Sequence, residues 1–296
     1  MSALLRGIAL AALAATVFGA TAQAQQPGRP VFQTTKVDGT DGVYTFRYQN
    51  SLSMFIVTPA GVIVTDPIGY GRPEAVKTYL EEIRKVSDKP IKYVLYSHHH
   101  FDHIAGGQPF KDAGAKFVAH KRAKERLVQL KDPHTVLPDE TFDKTKTIKL
   151  GGTTVEMIYM GLNHSDATAV IRLPKEKIIF TVDTVPAGQF PGRGMIDSYP
   201  IEWEDFLQKL YVMDWERLIP GHPGVGDRLG TKQDVQNLLT LMQEASAAVK
   251  VEAQQGKCWE PVEKEMQLSK YASWPGYAGG LPFVLRRYCG LWGRGT

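Results

Sequence analysis

The sequence predicts an α/β sandwich, two packed β-sheets with helices outside. Three observations lead there. Runs of β-type residues come first in hairpins, strand and helix patterns then alternate, and that order repeats loosely in the second half. With 296 residues the chain can bury a full core, as one large domain or a domain with an appendage.

The elements follow in order. Residues 43–48, 54–58 and 62–65 are rich in β-branched and aromatic residues, and Pro59-Ala60-Gly61 suits a tight turn between the last two. Residues 73–87 have helical spacing and begin with Pro73, which a first helical turn tolerates because its N–H has no partner there. Residues 91–96 end in Tyr93-Val94-Leu95-Tyr96, a buried-strand composition. A short strand at 116–119 precedes a helix at 121–130, and strands at 141–150 and 153–159 flank the turn Gly151-Gly152. Strands at 168–173 and 177–182 surround Pro174-Lys175-Glu176, a helix covers 201–213, and 217–220 is a last short strand. A long amphipathic pattern fills 229–255, and the tail mixes aromatic residues with Pro and Gly.

The ends set compartment and domains. Arg6 precedes an apolar stretch over 8–18, and Ala22-Gln23-Ala24 offers small residues for cleavage, the layout of a secretory leader over 1–24. Residues 25–40, rich in Gln, Pro, Gly and Thr, read as a loose arm. Residues 41–230 are expected to form the main domain, and 231–296 a helical, aromatic extension packed on it. The mature chain is expected to be exported to the periplasm of a Gram-negative bacterium, with no membrane span after leader removal. The 35 basic and 31 acidic residues are scattered, so no nucleic-acid groove is expected, and the partner is a small-molecule substrate. Cys258 and Cys289 are the two cysteines; in an oxidising compartment they could staple the tail to itself, or stay as two thiols.

The chemistry concentrates in Ser97-His98-His99-His100-Phe101-Asp102-His103, directly after the strand at 91–96. Neutral imidazoles and a carboxylate are the donors that a borderline-soft divalent cation takes, zinc above all. Alternation along an extended loop turns His99 away from its neighbours. His164, Asp183 and His222 each follow a predicted strand, His222 within Pro220-Gly221-His222-Pro223-Gly224. His120 and His134 have no partner pattern and are expected at the surface.

In order and type, His98, His100, Asp102, His103, His164, Asp183 and His222 resemble the ligand series of the metallo-β-lactamase superfamily, and Asp66 resembles its earlier structural Asp, with an outer supporting role. The resemblance covers roughly 43–224 and implies an αββα sandwich with a two-metal site at the sheet edges. It implies one ion on His98, His100 and His164, a second on Asp102, His103 and His222, and Asp183 bridging. Seven protein donors are too many for one tetrahedral zinc and suit two Zn2+ ions, with Fe or Mn as alternatives. The implied reaction is hydrolysis of an ester, lactone, thioester or amide-like bond by a metal-held hydroxide, with Asp102 as the catalytic carboxylate that orients it and relays a proton.

Departures from the family pattern bear on substrate. Exported β-lactamases of the family commonly have Cys or Ser where this chain has Asp183, which looks more like the glyoxalase II and lactonase branches. Lactonases resembling this pattern place a Tyr shortly after that Asp, where this chain has Thr184-Val185-Pro186. Residues 188–203 hold Phe190, Arg193, Tyr199 and Trp203, which could cover a substrate and clasp its carboxylate, or be core of a packed connection. Burial is the expectation for Tyr271, Trp274 and Tyr277. A β-lactamase and a non-catalytic metal-binding accessory protein are the competing readings.

Overall fold

A computed structural model describes residues 28–296; the predicted leader, and 25–27 of the predicted arm, lie outside the described residues. The chain runs β1 (Phe32–Lys36), β2 (Val43–Tyr48), β3 (Ser51–Thr58), β4 (Gly61–Thr65), α1 (Pro73–Val86) and β5 (Ile91–Leu95). The short helices α2 (Phe101–Ile104) and α3 (Gln108–Asp112) follow, then β6 (Lys116–His120), α4 (Lys121–Leu130), β7 (Glu140–Phe142), β8 (Thr145–Leu150) and β9 (Thr153–Tyr159). The chain closes with β10 (Ala169–Leu173), β11 (Ile178–Thr181), α5 (Pro200–Val212), β12 (Arg217–Pro220), α6 (Lys232–Gln254), α7 (Glu260–Glu265) and α8 (Tyr277–Arg294).

Seven strands form the first sheet in the order β1 to β7, antiparallel up to β4 and parallel from β4 to β7. The second sheet has the order β12-β11-β10-β9-β8 and is antiparallel except for the β11–β12 pair. Strand alternation assigns each face. Met54 and Ile56 of β3 meet Ile171 of β10 and Phe180 of β11 in the core between the sheets. Phe55 of β3 turns outward and packs with Tyr79 and Ile83 of α1 and Leu127 of α4. Val170 of β10 and Ile179 of β11 point to the opposite outside, against Trp203 and Phe206 of α5, Leu238 and Met242 of α6, and Val284 and Leu285 of α8. The layers are therefore αββα, as expected.

Two expectations need correction, and one open alternative is decided. The arm expected to be loose contains β1, registered residue by residue on β2 from Phe32 opposite Tyr48 to Lys36 opposite Tyr44; Val31-Phe32-Gln33-Thr34-Thr35 is a β-type run inside a turn-rich composition. The strand expected over 141–150 is two strands in different sheets, because the chain leaves the first sheet after Phe142 and enters the second at Thr145. The two cysteines are free thiols within hydrogen-bonding reach of each other, joining the start of α7 to α8. Tyr271 and Tyr277 are buried as expected.

Candidate metal centre

Parallel strands β4, β5 and β6 end on one edge of the first sheet, and the loop after β5 carries His98 to His103. The ends of β9, β11 and β12 on the second sheet bring His164, Asp183 and His222 to the same place. Two backbone hydrogen bonds join the sheets there, Ala169 N to Ser97 O at 2.7 Å and Leu52 N to Gly221 O at 2.8 Å.

All seven predicted donors converge in two sets that share Asp183. Ligand atoms of His98, His100, His164 and Asp183 lie within 4.8 Å of one another, and so do those of Asp102, His103, Asp183 and His222. Asp183 Oδ2 is 3.9 Å from His98 Nε2, 3.4 Å from His164 Nε2 and 3.1 Å from His103 Nε2, while its Oδ1 is 3.3 Å from His222 Nε2. Asp102 Oδ2 is 3.4 Å from His103 Nε2. Asp183 sits at φ 61°, a left-handed conformation that Asp visits more readily than most residues and that turns its carboxylate into the cluster.

The donors fit a divalent cation. Among the described residues, His98 Nε2, both ring nitrogens of His103 and Asp183 Oδ1 are buried without a hydrogen-bond partner, a costly arrangement unless a cation completes it. His164 Nδ1 donates to Gly194 O at 3.0 Å, so its Nε2 presents a lone pair, and that atom faces His100 Nδ1 at 3.0 Å. Ser97 Oγ meets His98 Nδ1 at 2.8 Å, and His222 Nδ1 donates to Asn50 O. The carbonyl contacts of His164 and His222 fix the tautomer that leaves the inner nitrogen free. His100 Nε2 faces Asp197 Oδ2 at 3.5 Å. Asp66 accepts from Ser97 N at 2.8 Å, at the root of the loop that carries His98 to His103.

Two glycines make room for the rings. A Cβ on Gly194 would stand 2.9 Å from the His164 ring, and one on Gly221 would stand 2.9 Å from His103 Cε1 and 2.3 Å from Val182.

Burial and close approach couple the charges of the cluster. Burial pushes the His103 imidazolium down, but Asp183 and Asp102 outweigh it and raise its pKa to about 9. Burial pulls the Asp183 carboxyl up, yet His103 and His222 hold it well below the usual range. Burial, then neighbouring imidazoles, keep His98 well below its ordinary value and lower His100 to about 4. Burial raises Asp66 to about 6 despite His103 and Ser97.

His99 turns away as expected, its Nδ1 3.9 Å from Asp166 Oδ1. His134 is exposed, but His120 is buried rather than at the surface: its ring stacks on Tyr159 at 4.0 Å and its Nε2 meets Asp143 O at 2.8 Å. The four aromatic and basic residues expected to cover substrate divide. Phe190 and Trp203 are core, Phe190 against Tyr277 at 5.1 Å. The Trp203 indole donates to Thr184 O at 3.1 Å and backs the His164 ring at 6.0 Å, so neither side chain is available to clasp a ligand. Arg193 is exposed and Tyr199 half-buried beside the site. Unforeseen contributors are Asp197, the two glycines and Arg72, which donates to Asp102 O at 2.8 Å and to Ser51 Oγ. Nothing local in the sequence marks Arg72, since its partners lie 21 and 30 residues away.

The family profile described as the metallo-beta-lactamase superfamily matches residues 47–223. A 2,4-dinitroanisole O-demethylase subunit alpha from a Nocardioides species is 24% identical over 62% of this chain, which spans 53% of that subunit. A metallo-beta-lactamase type 2 from Elizabethkingia meningoseptica is 27% identical over 60% of this chain and 69% of its own length. A metallo-beta-lactamase from Pontibacter korlensis shares the fold with a TM-score of 0.63 at 22% identity, over 72% of this chain and 99% of that structure. With a profile match across more than half its length and all seven donors converged at the sheet edges, the chain belongs to the metallo-beta-lactamase superfamily.

Proposed function

We propose that this chain is an exported hydrolase holding two divalent ions, zinc first, that cleaves an ester, lactone, thioester or amide-like bond of a small molecule. One observation carries the reading: two complete four-donor sets share a single bridging carboxylate, Asp183. Nitrogen and carboxylate donors without thiolate suit zinc and also admit iron or manganese. When bound, such ions make water acidic enough to attack near neutral pH and draw charge from a substrate oxygen.

The protein's own residues do the rest. Asp102 is the least buried of the acidic donors, at 46% side-chain exposure, so it can reach solvent and pass a proton while its second oxygen stays inward. Arg72 fixes its backbone by donating to Asp102 O. His98 and His103 are buried and the Asp183 side chain is only 12% exposed, which strengthens their hold on charge. Opening of a β-lactam is the second reading, favoured by the likeness to a β-lactamase; Asp183 in place of a thiol or hydroxyl counts against it. A non-catalytic metal-binding role leaves the exposed Asp102 unexplained.

The test is metal quantification on the purified protein together with a panel of a cephalosporin, aryl esters, lactones and a thioester. Turnover of one class, abolished by chelation and restored by zinc, supports the reading. Two bound ions and no turnover of any class would overturn the hydrolase and leave a metal-binding protein.

A further inference from the structure

A basic and aromatic patch stands beside the metal donors. The strand β6 is parallel to β5 and ends on the same edge, so α4, which starts at Lys121, rises from the rim of the site. Arg122 and Arg126 of α4 are four residues apart and therefore share a face. Arg126 donates from Nη2 and Nε to Asp166 Oδ2 at 2.8 and 3.2 Å, and the Tyr199 hydroxyl also reaches it. The remaining Asp166 oxygen faces His99, whose ring centre is 4.7 Å from that of the donor His100. Arg122 lies over the Tyr159 ring at 5.8 Å, is exposed, and makes no ion pair among the described residues; the nearby Asp143 is paired with Lys121 at 2.7 Å. Asp166 offsets the Arg126 charge, and the Arg122 charge has no ion-pair partner among the described residues. A planar guanidinium lying over an aromatic face, with a second guanidinium one helical turn away, suits the two oxygens of an oxyanion.

We propose that Arg122 and Arg126, with Tyr159 and Tyr199, form a subsite that recognises an oxyanion, a carboxylate or a sulfate, carried by the substrate away from the bond that breaks. This inference rests on the hydrolase reading for its role, and names the substrate class as an anionic small molecule. Arg126 is held by Asp166 and sets the geometry, while Arg122 supplies the unpaired charge.

The experiment compares the metal-loaded wild type with Arg122→Ala and Arg122→Glu on two matched substrates, p-nitrophenyl butyrate and the p-nitrophenyl hemi-ester of glutaric acid. The ratio of kcat/KM, hemi-ester over neutral ester, falls about tenfold in Arg122→Ala, through KM, and further in Arg122→Glu, because a charge-assisted contact of this kind is lost. Lys124→Ala, on the same helix but outside the patch, leaves the ratio unchanged. An unchanged ratio in both arginine variants would overturn the proposal. Calorimetric titration with glutarate and with inorganic sulfate supplies the readout independent of turnover. Saturable binding of either anion that Arg122→Glu abolishes supports the subsite, even if neither ester is hydrolysed and the hydrolase reading fails. Glutarate binding alone marks a carboxylate, and sulfate binding alone marks a sulfate ester. No saturable binding, or equal binding in the variant, refutes it.

Discussion

Titrating metal into the metal-free protein across about pH 6 to 9 should separate the two donor sets by their proton release. His103 is fully buried and, through Asp183 and Asp102, keeps its proton until about pH 9. To ligate, His103 must be a neutral imidazole with one ring nitrogen free, so an ion bound by Asp102, His103 and His222 would have to expel that proton. At pH 7 this is about two pH units below the pKa, which costs roughly a hundredfold in apparent affinity. His98 and His100 are held neutral at that pH by burial and by each other, so the ion on His98, His100 and His164 expels nothing from them. Competition with a chromophoric chelator should therefore give one nearly flat affinity and one that rises about tenfold per pH unit up to about pH 9. Calorimetry in buffers of different ionisation enthalpy should show about one proton released for the second ion. Equal slopes for both ions, or two flat profiles, would refute the charge assignment. The same pair has a sign in the metal-free fold: a raised His103 stabilises fully below about pH 6.5 and is lost as pH climbs through about 9, and the depressed Asp183 is lost as pH falls through its own lowered pKa.

Three further outcomes are expected. Asp183→Ala lowers bound metal toward one ion or fewer by elemental analysis, whereas His99→Ala, which faces Asp166 instead, keeps the wild-type content; equal content in both variants would sink the donor assignment. Trp203→Ala destabilises by about 3–5 kcal/mol in urea unfolding, because the ring is buried in the core under α6 and α8; a loss confined to substrate affinity would restore it as a ligand contact. Gly221→Ala weakens metal binding at the His103 set, since the added carbon would meet Val182 at 2.3 Å and the His103 ring at 2.9 Å; unchanged affinity there would show that the loop yields freely.

Much of the centre is legible because each donor follows a strand whose apolar run is visible on its own, as at Tyr93 to Tyr96 before His98. What escaped depends on tertiary neighbours. His120 has no chemical partner nearby in sequence, and only the fold brings Tyr159 and Asp143 around it. Phe190 and Trp203 carry aromatic rings in a Gly- and Pro-rich stretch, a composition equally consistent with a lid or with a packed connection, and the layer of α6 and α8 decides for packing. The split between β7 and β8 is invisible because Asp143-Lys144 continues a polar and β-branched alternation while the chain changes sheets. Asp197 and Arg72 act on residues far away in the chain, and no spacing announces that.

The donors are interleaved along the chain and divided between the sheets: four come from the loop after β5, and His164, Asp183 and His222 from the other sheet. Neither half of the protein holds a complete set, and the last donor to be synthesised, His222, belongs to the second. Metal capture at full affinity is therefore a late event, gated by docking of two separately built sheets. The centre doubles as a checkpoint on assembly, since a chain that has not closed its sandwich presents neither donor set complete.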